Sequence, residues 1–438
     1  MCSFVGTNKE IKNLKLVNKF TKNRGPDKTS VQNVNGFSLV HNLLSITGEF
    51  NTQPLFHKNG DLVCMYNGEI YNYKEFGQYD SDGDCILPLY EAHGKEFVKF
   101  LDGEFAIVLL DFNKREIVFV TDTFATKPLW YATEGSAIGF ASYESSIKEL
   151  GFKTVIKMQA NQMEVLDLDT LKKKSQSKIV SFDLEQHKRT YDDWVSSFVS
   201  SVEKRISGVR EKVFIGLSGG YDSGAISCAL EQLQAPYRAY TIVGAENLNI
   251  INERKQAIQD MVILDITKEQ FLGERNYLST DCEDFYFNGK PAARTDKASA
   301  GLSFICREAR KDNYKIYLSG QGADEIISDY GYGGRKIYNH SQFGGKFPSD
   351  LSTIFPWRSF YTGTQQKYLG KEECVAGSHG VETRYPFLDK QLVQEFLWLH
   401  QNLKNAKYKA PIHFFLRKNN YPFTANEKVG FRPNHKFK

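Results

Sequence analysis

The chain has 438 residues, 41% apolar and 25% charged, an ordinary globular composition with room for two or three cored domains. Its net charge of +4, from 56 basic and 52 acidic residues, is too balanced to call for a nucleic-acid partner. No run approaches the length of a membrane span, and the start "MCSFVGTNKE" lacks the basic and apolar regions of a signal peptide, so a cytoplasmic protein is expected.

In chain order, the first feature is Cys2. Seven cysteines lie scattered at 2, 64, 85, 228, 282, 306 and 374 with no CxxC pair, so neither a disulfide framework nor a zinc site is indicated. Cys2 differs from the rest by position. Removal of Met1 would leave a thiol nucleophile beside a free α-amine that serves as its base. The segments that follow are "RGPD" (24–27), "HNLLSI" (41–46), "TQPLF" (52–56), "YNGEIYNY" (66–73), "GDC" (83–85), "LDGEFAIVLLD" (101–111), "TDTFATKPLW" (121–130) and "GFASYESSIKEL" (139–150). Most read as short strands broken by turns, an antiparallel β-rich layer. Asn67 and Gly68 end an apolar strand and are suitable oxyanion donors. Glu69 and Asp84 are carboxylates suited to an ammonium.

Residues 151–190 read as a strand, a charged turn and another strand, with "KKK" at 172–174 as a solvated loop. From Tyr191 the period changes: Trp194, Phe198, Val202 and Ile206 fall at helical spacing. An apolar strand over 213–217 then runs into "SGGYDS", a helix over 224–233 and a strand over 237–243. Strands alternating with helices predict a parallel α/β sheet, with ligands beyond the C-terminal strand ends. Glycines at a strand-to-helix turn let N–H groups converge on an anion. The loop lacks the Walker A pattern. A second strand and loop, "KIYLSGQGADEIISDYG", repeats the glycine spacing at 315–331. The aromatic stretch 329–345 has few charges and reads as a pocket wall rather than a base-stacking surface.

The first 150 or so residues resemble a class II, N-terminal-nucleophile glutamine amidotransferase, and the whole order of motifs resembles the asparagine synthetase family. That resemblance implies an N-terminal four-layer αββα amidotransferase domain over 2–155. A linker hairpin would follow over 156–190, then a parallel-sheet α/β ATP-pyrophosphatase-type synthetase domain over 191–438. In the first domain Cys2 would attack the glutamine side-chain amide, with Asn67 and Gly68 as the oxyanion hole. Glutamine would lie along Leu43, Leu44, Ser45, Ile46 and Thr47, its α-amine on Glu69 and Asp84. In the second, ATP would be split between its α- and β-phosphates. Ser218, Gly219, Gly220 and Ser223 would hold the pyrophosphate, Leu217 and Val243 would contact the nucleotide through backbone, and Ser319 and Gly320 would approach it closely. Asp222 and Asp324 would ligate Mg2+. In "GVETRYPFLDK" (380–390), Glu382, Arg384 and Asp389 would lie near the active site. Lys409 would be the active-site lysine, with Lys407 the other register and the spacing to "EKVGF" (427–431) in support.

Besides "TDTFATKPLW", where the family more often has Arg-Asp and a Gly, three single residues depart from the family pattern. Its α-carboxylate-clamping arginine falls on Leu43, its loop glutamate on Gln321, and a helix arginine on His413. Gln321 hydrogen-bonds but does not exchange a proton at neutral pH. The chain is also shorter than typical members after 390. The reaction expected is glutamine- and ATP-dependent amidation of a carboxylate through an acyl-adenylate, aspartate to asparagine first. The alternative is a specialised amidotransferase acting on a sugar, nucleotide or peptide acid. A non-catalytic sensor conflicts with the intact Cys2, Asp222 and Asp324, and an ATP-driven cyclase needs no Cys2. The expected partners are small molecules (glutamine, ATP, a carboxylate), with neither nucleic acid nor membrane, and a homodimer is among the expected assemblies.

Overall fold

The computed structural model describes residues 2–57, 60–244 and 246–426. In the strand Leu62–Ile70, Cys64, Tyr66 and Ile70 enter one core while Val63 and Met65 enter another. The neighbouring strand Gly103–Asp111 splits likewise, Ile107 and Leu109 against Val108 and Leu110. A strand apolar on both faces needs a layer on each side. Two antiparallel six-stranded sheets supply the inner layers. One has Ser3–Thr7 between Phe37–Leu43 and Ala137–Ala141; the other has Leu62–Ile70 beside Gly103–Asp111. Helix Ile86–His93 covers the outside of the second sheet, and helix Glu144–Glu149 packs Ile147 on Val5 and Val40 of the first. This is the four-layer αββα arrangement.

Segment 156–190 begins as part of that sandwich. Ile156–Lys157 pairs with Trp130–Glu134, and the hairpin Met163–Asp167 with Lys173–Ser177 is paired to Glu116–Thr121. The hairpin expected as a linker is therefore a sheet edge. "KKK" is correspondingly not all loop: Lys173 and Lys174 lie on the edge strand and reach Glu164 and Glu116. Lysines on an edge strand discourage a further strand from pairing there.

The second half is a five-stranded parallel sheet in the order Met261–Leu264, Arg238–Ile242, Lys212–Gly216, Tyr314–Leu318, Glu382–Arg384. Val213 and Ile215 face the core made with Trp194, Phe198 and Val202 of helix Asp192–Ile206; Phe214 faces the opposite core, with Ile305 of helix Lys297–Lys311. After Lys212–Gly216 the chain builds outward on one side, then returns to place Tyr314–Leu318 on the other. That reversal leaves a crevice between the two strand ends. Among the described residues no helix is long and apolar enough to cross a membrane.

The two halves meet on a buried ionic seam. Lys127 Nζ lies 3.3 Å from both Glu104 and Glu373 and donates to Thr383 O. Arg24 pairs with Glu373 at 2.8 Å, and Arg205 with Glu104 at 2.8 Å and Asp389 at 3.1 Å. Arg384 pairs with Glu69 and Glu382. Removing one member leaves charges buried and unpaired. Lys127→Met should therefore cost about 3–5 kcal/mol of unfolding free energy in urea. A loss under about 1 kcal/mol would show that the seam relaxes around the gap.

Candidate active sites

Cys2 leads into the central strand of the first sheet. The register Ser3↔Asn42 sets it beside Leu43 and Leu44, with Sγ 3.9 Å from Leu44 O. Burial pushes its thiol up to about 11, so the resting group is a thiol that needs a base. From the facing sheet, strand Leu62–Ile70 brings Asn67, Gly68 and Glu69. Asn67 is fully buried, and neither Oδ1 nor Nδ2 has a hydrogen-bond partner among the described residues. Asn67 itself is not part of the lining of the pocket that Gly68 and Glu69 share with Cys2. At Gly68, φ is +148° and a Cβ would come 2.0 Å from Glu104 O, so no other residue fits.

Cys2, Leu43, Leu44, Ser45, Ile46, Thr47, Gly68 and Glu69 line one pocket, together with Asn51, Asp82 and, from the second half, Glu382. Asp84 does not line it. In "SDGDC" a single 3-10 turn sends the two carboxylates apart. Asp82 points in, accepting from Ile70 N at 2.9 Å and from Tyr66 OH at 2.5 Å. Asp84 turns back to accept from Ser81 N and Asn51 Nδ2. The expectation for Asp84 is thus corrected to Asp82; the two-residue spacing alone did not tell which carboxylate faces inward.

Glu382 belongs to this pocket wall, Arg384 is its ion-pair partner outside the lining, and Asp389 belongs to the seam beside it. Arg384 Nη2 lies 2.8 Å from Glu69 and 2.7 Å from Glu382. Burial pushes the Glu69 and Asp82 carboxyls up, Arg384 opposing in both. Arg384 thus bridges Glu69 and Glu382, with Lys127 also favouring the charged form of Glu382, while burial drives Glu69 and Asp82 toward their neutral forms, which a cation arriving beside them would reverse. Leu43 offers its neighbourhood only apolar surface.

The second site lies at the sheet crevice. The loop after Lys212–Gly216 folds on itself: Ser218 N donates to Ser223 Oγ at 3.0 Å, Gly220 N to Ser218 Oγ at 3.2 Å, and the two hydroxyls lie 2.9 Å apart. Arg254, fully buried, clamps it from behind by donating to Ser218 O, to Gly220 O at 2.9 Å and to Pro422 O at 2.9 Å. With those carbonyls held back, Gly219 N donates to the Glu246 carboxylate at 2.7 Å. This N–H of the expected cradle is thus already taken by an anionic side chain of the chain itself. Arg254 and Glu246 carry no local motif, so the sequence did not mark them. Leu217 N and Val243 N serve the sheet, bonding Tyr240 O and Leu264 O.

The loop after Tyr314–Leu318 packs against the first. A Cβ on Gly320 would come 2.9 Å from Asp222 Cβ. Lys409, not the exposed Lys407, enters between the loops. Its Nζ lies 2.5 Å from Asp222 Oδ1 and 2.7 Å from Asp324 Oδ1, and Tyr408 OH donates to Asp324 at 3.1 Å. Burial alone would push its ammonium down; the two carboxylates outweigh that and keep it charged. His413 meets Tyr221 OH at 3.0 Å. Ser319 Oγ donates to Glu372 at 2.7 Å, and Gln321 Nε2 reaches the other Glu372 oxygen at 3.4 Å. "EKVGF" lies outside the described residues.

Two carboxylates close on one cation, as Asp222 and Asp324 do on the Lys409 ammonium, also fit a magnesium ion completed by substrate phosphates. Among the described residues no group of three acidic, His or Cys side chains is placed to hold a metal unaided.

Residues 1–182 match the family of the glutamine amidotransferase domain, and 194–369 match the asparagine synthase family. The chain is 27% identical to the asparagine synthetase (glutamine-hydrolyzing) of Homo sapiens over 433 residues, covering 88% of this chain and 74% of that one. With the corresponding synthetase of Cricetulus griseus it is 26% identical over 448 residues, with the same coverage. Because Asp82 faces the pocket and Asp84 does not, Asp82→Asn should raise the KM for glutamine about tenfold or more, and Asp84→Asn by much less. The reverse order would restore Asp84 to the pocket.

Proposed function

We propose that this chain, a member of the glutamine-hydrolysing asparagine synthetase family, releases ammonia from glutamine at Cys2 and uses ATP to amidate a carboxylate, aspartate first, at the Lys409 site. Glutamine-hydrolysing amidation follows from the two matched domains. The observation that carries the residue assignments is the Lys409 ammonium between Asp222 and Asp324 where the two glycine-bearing loops meet.

In this reading the glutamine α-ammonium sits on Glu69 and Asp82. The free amine of a processed Cys2 takes the thiol proton as Sγ attacks the amide carbon. Asn67 Nδ2 and Gly68 stabilise the oxyanion. Ammonia crosses to the crevice. There the acceptor carboxylate attacks the α-phosphate of ATP, and pyrophosphate leaves onto Ser218, Gly219, Gly220 and Ser223. Asp222 and Asp324 would hold magnesium, which when bound neutralises charge on the pyrophosphate oxygens. Lys409 offsets charge on the phosphate and on the tetrahedral carbon. Ammonia then displaces AMP.

Leu43 and Gln321 favour one second reading, in which the same chemistry serves a different carboxylate. Both depart from the family pattern in groups that meet substrate.

Two variants test the division of labour. Cys2→Ala should abolish glutamine-dependent turnover and preserve turnover with ammonium chloride. Lys409→Met should lower kcat with either nitrogen source by about 10²-fold or more. Glutamine use retained by Cys2→Ala, or full ammonium-dependent turnover by Lys409→Met, would remove that residue from the mechanism.

A further inference from the structure

We propose that Glu372 supplies the carboxyl that Gln321 lacks, accepting through Ser319 Oγ the proton released when ammonia attacks the acyl-adenylate. The inference rests on the amide-forming reading above and deepens it.

Helix Thr364–Ser378 carries three consecutive charged residues, Lys371, Glu372 and Glu373, all buried. Burial of such a run calls for a partner at each position. Lys371 pairs with Asp296 at 2.7 Å, and Glu373 with Arg24 and Lys127 in the seam. Glu372 has no ion pair among the described residues. Its oxygens meet two neutral donors, Ser319 Oγ at 2.7 Å and Gln321 Nε2 at 3.4 Å, both on the second nucleotide loop. A carboxyl at this loop restores a titratable group beside the one position where the loop has an amide instead of an acid.

The surroundings tune it. Burial pushes Glu372 up to about 7; the bonds from Ser319 and Gln321 and the charge of Lys371 oppose this, and Glu373 adds to it. The other titratable groups facing it are Tyr317 on the strand below, Cys306 on helix Lys297–Lys311 and Tyr385 after Glu382–Arg384. Burial pushes all three up, so they stay neutral as Glu372 titrates. A base that titrates near neutrality is matched to proton transfer at working pH.

The step balances. The ammonia lone pair forms the new C–N bond, and the acyl C–O bond breaks with its electron pair leaving on AMP. One N–H proton passes to Ser319 Oγ as the hydroxyl proton passes to Glu372, which returns it to solvent. Glu372 is thus a positioning and relay residue, reaching the reacting atoms through Ser319.

The test separates the half-reactions in the full-length protein, with aspartate as the acceptor probe. Glu372→Gln should slow ammonium-dependent asparagine formation about 10²-fold more than it slows aspartate-dependent ATP–pyrophosphate exchange. The swapped variant Glu372→Gln with Gln321→Glu should recover much of that loss, because it returns one carboxyl to the same contact. Equal losses in both half-reactions, or no recovery in the swap, would overturn the relay. Independently of any acceptor, the infrared difference spectrum of wild type minus Glu372→Gln should show a protonated-carboxyl band that titrates near pH 7. Absence of that band from the difference spectrum would also overturn the inference. A wild type that shows the band but neither half-reaction with aspartate would count against the aspartate reading, not against Glu372.

Discussion

Both sites depend on one buried ionic seam between the halves. Arg24 holds the carbonyl of Cys2 through Nε at 3.3 Å and holds Glu373 with its other end. Glu373 also takes Lys127 and Tyr385 OH, and the next residue back along its helix is Glu372, at the second glycine-bearing loop. Arg384 joins Glu69 of the first half to Glu382 of the second, both of which line the Cys2 pocket. Buried ion pairs add little net stability over apolar packing, yet they tolerate few alternative arrangements. The seam therefore acts chiefly as a register mark. It fixes the Cys2 pocket to the sheet that carries the two glycine-bearing loops, and that pocket takes Glu382 from the second half.

The two sites solve opposite charge problems. In the first, burial drives the Glu69 and Asp82 carboxyls toward their neutral forms, a balance that a cation arriving beside them would reverse. In the second, Lys409 stands between Asp222 and Asp324, and the cradle N–H of Gly219 already holds a carboxylate, that of Glu246. Under the proposed function, phosphate binding would replace one anion by another on a loop held in shape by Arg254. Lys409 itself sits at φ +47°, a left-handed conformation costly for a side-chain-bearing residue. The strain is accepted where the ammonium must enter between two loops.

Much of the architecture was legible in the sequence because local pattern and tertiary environment agree. The helical spacing of Trp194, Phe198 and Val202 is the buried stripe of helix Asp192–Ile206, and both glycine-bearing loops follow the parallel strands that precede them in the sequence. What was not legible depends on distance in the chain. Asp82 and Asp84 look equivalent until a 3-10 turn directs one inward. Arg254 and Glu246 act on a loop roughly thirty residues away through contacts that no motif encodes. Glu372 reads as one of two adjacent glutamates on a helix, and only the fold separates the seam partner from the loop partner. The strands over 156–177 read as a linker because their pairing partners lie far upstream.

The central claim is that the crevice amidates aspartate by way of an adenylate. It is tested most directly by incubating the wild-type protein with ATP, magnesium, ammonium chloride and a panel of carboxylic acids that includes aspartate. AMP, pyrophosphate and the amide product are then quantified for each acid. The account predicts AMP and pyrophosphate in equal amounts with aspartate, matched by asparagine. Silence with aspartate alongside stoichiometric AMP, pyrophosphate and amide with another acid would contradict the aspartate assignment. Release of ADP and inorganic phosphate, with any acid, would contradict the adenylate chemistry itself.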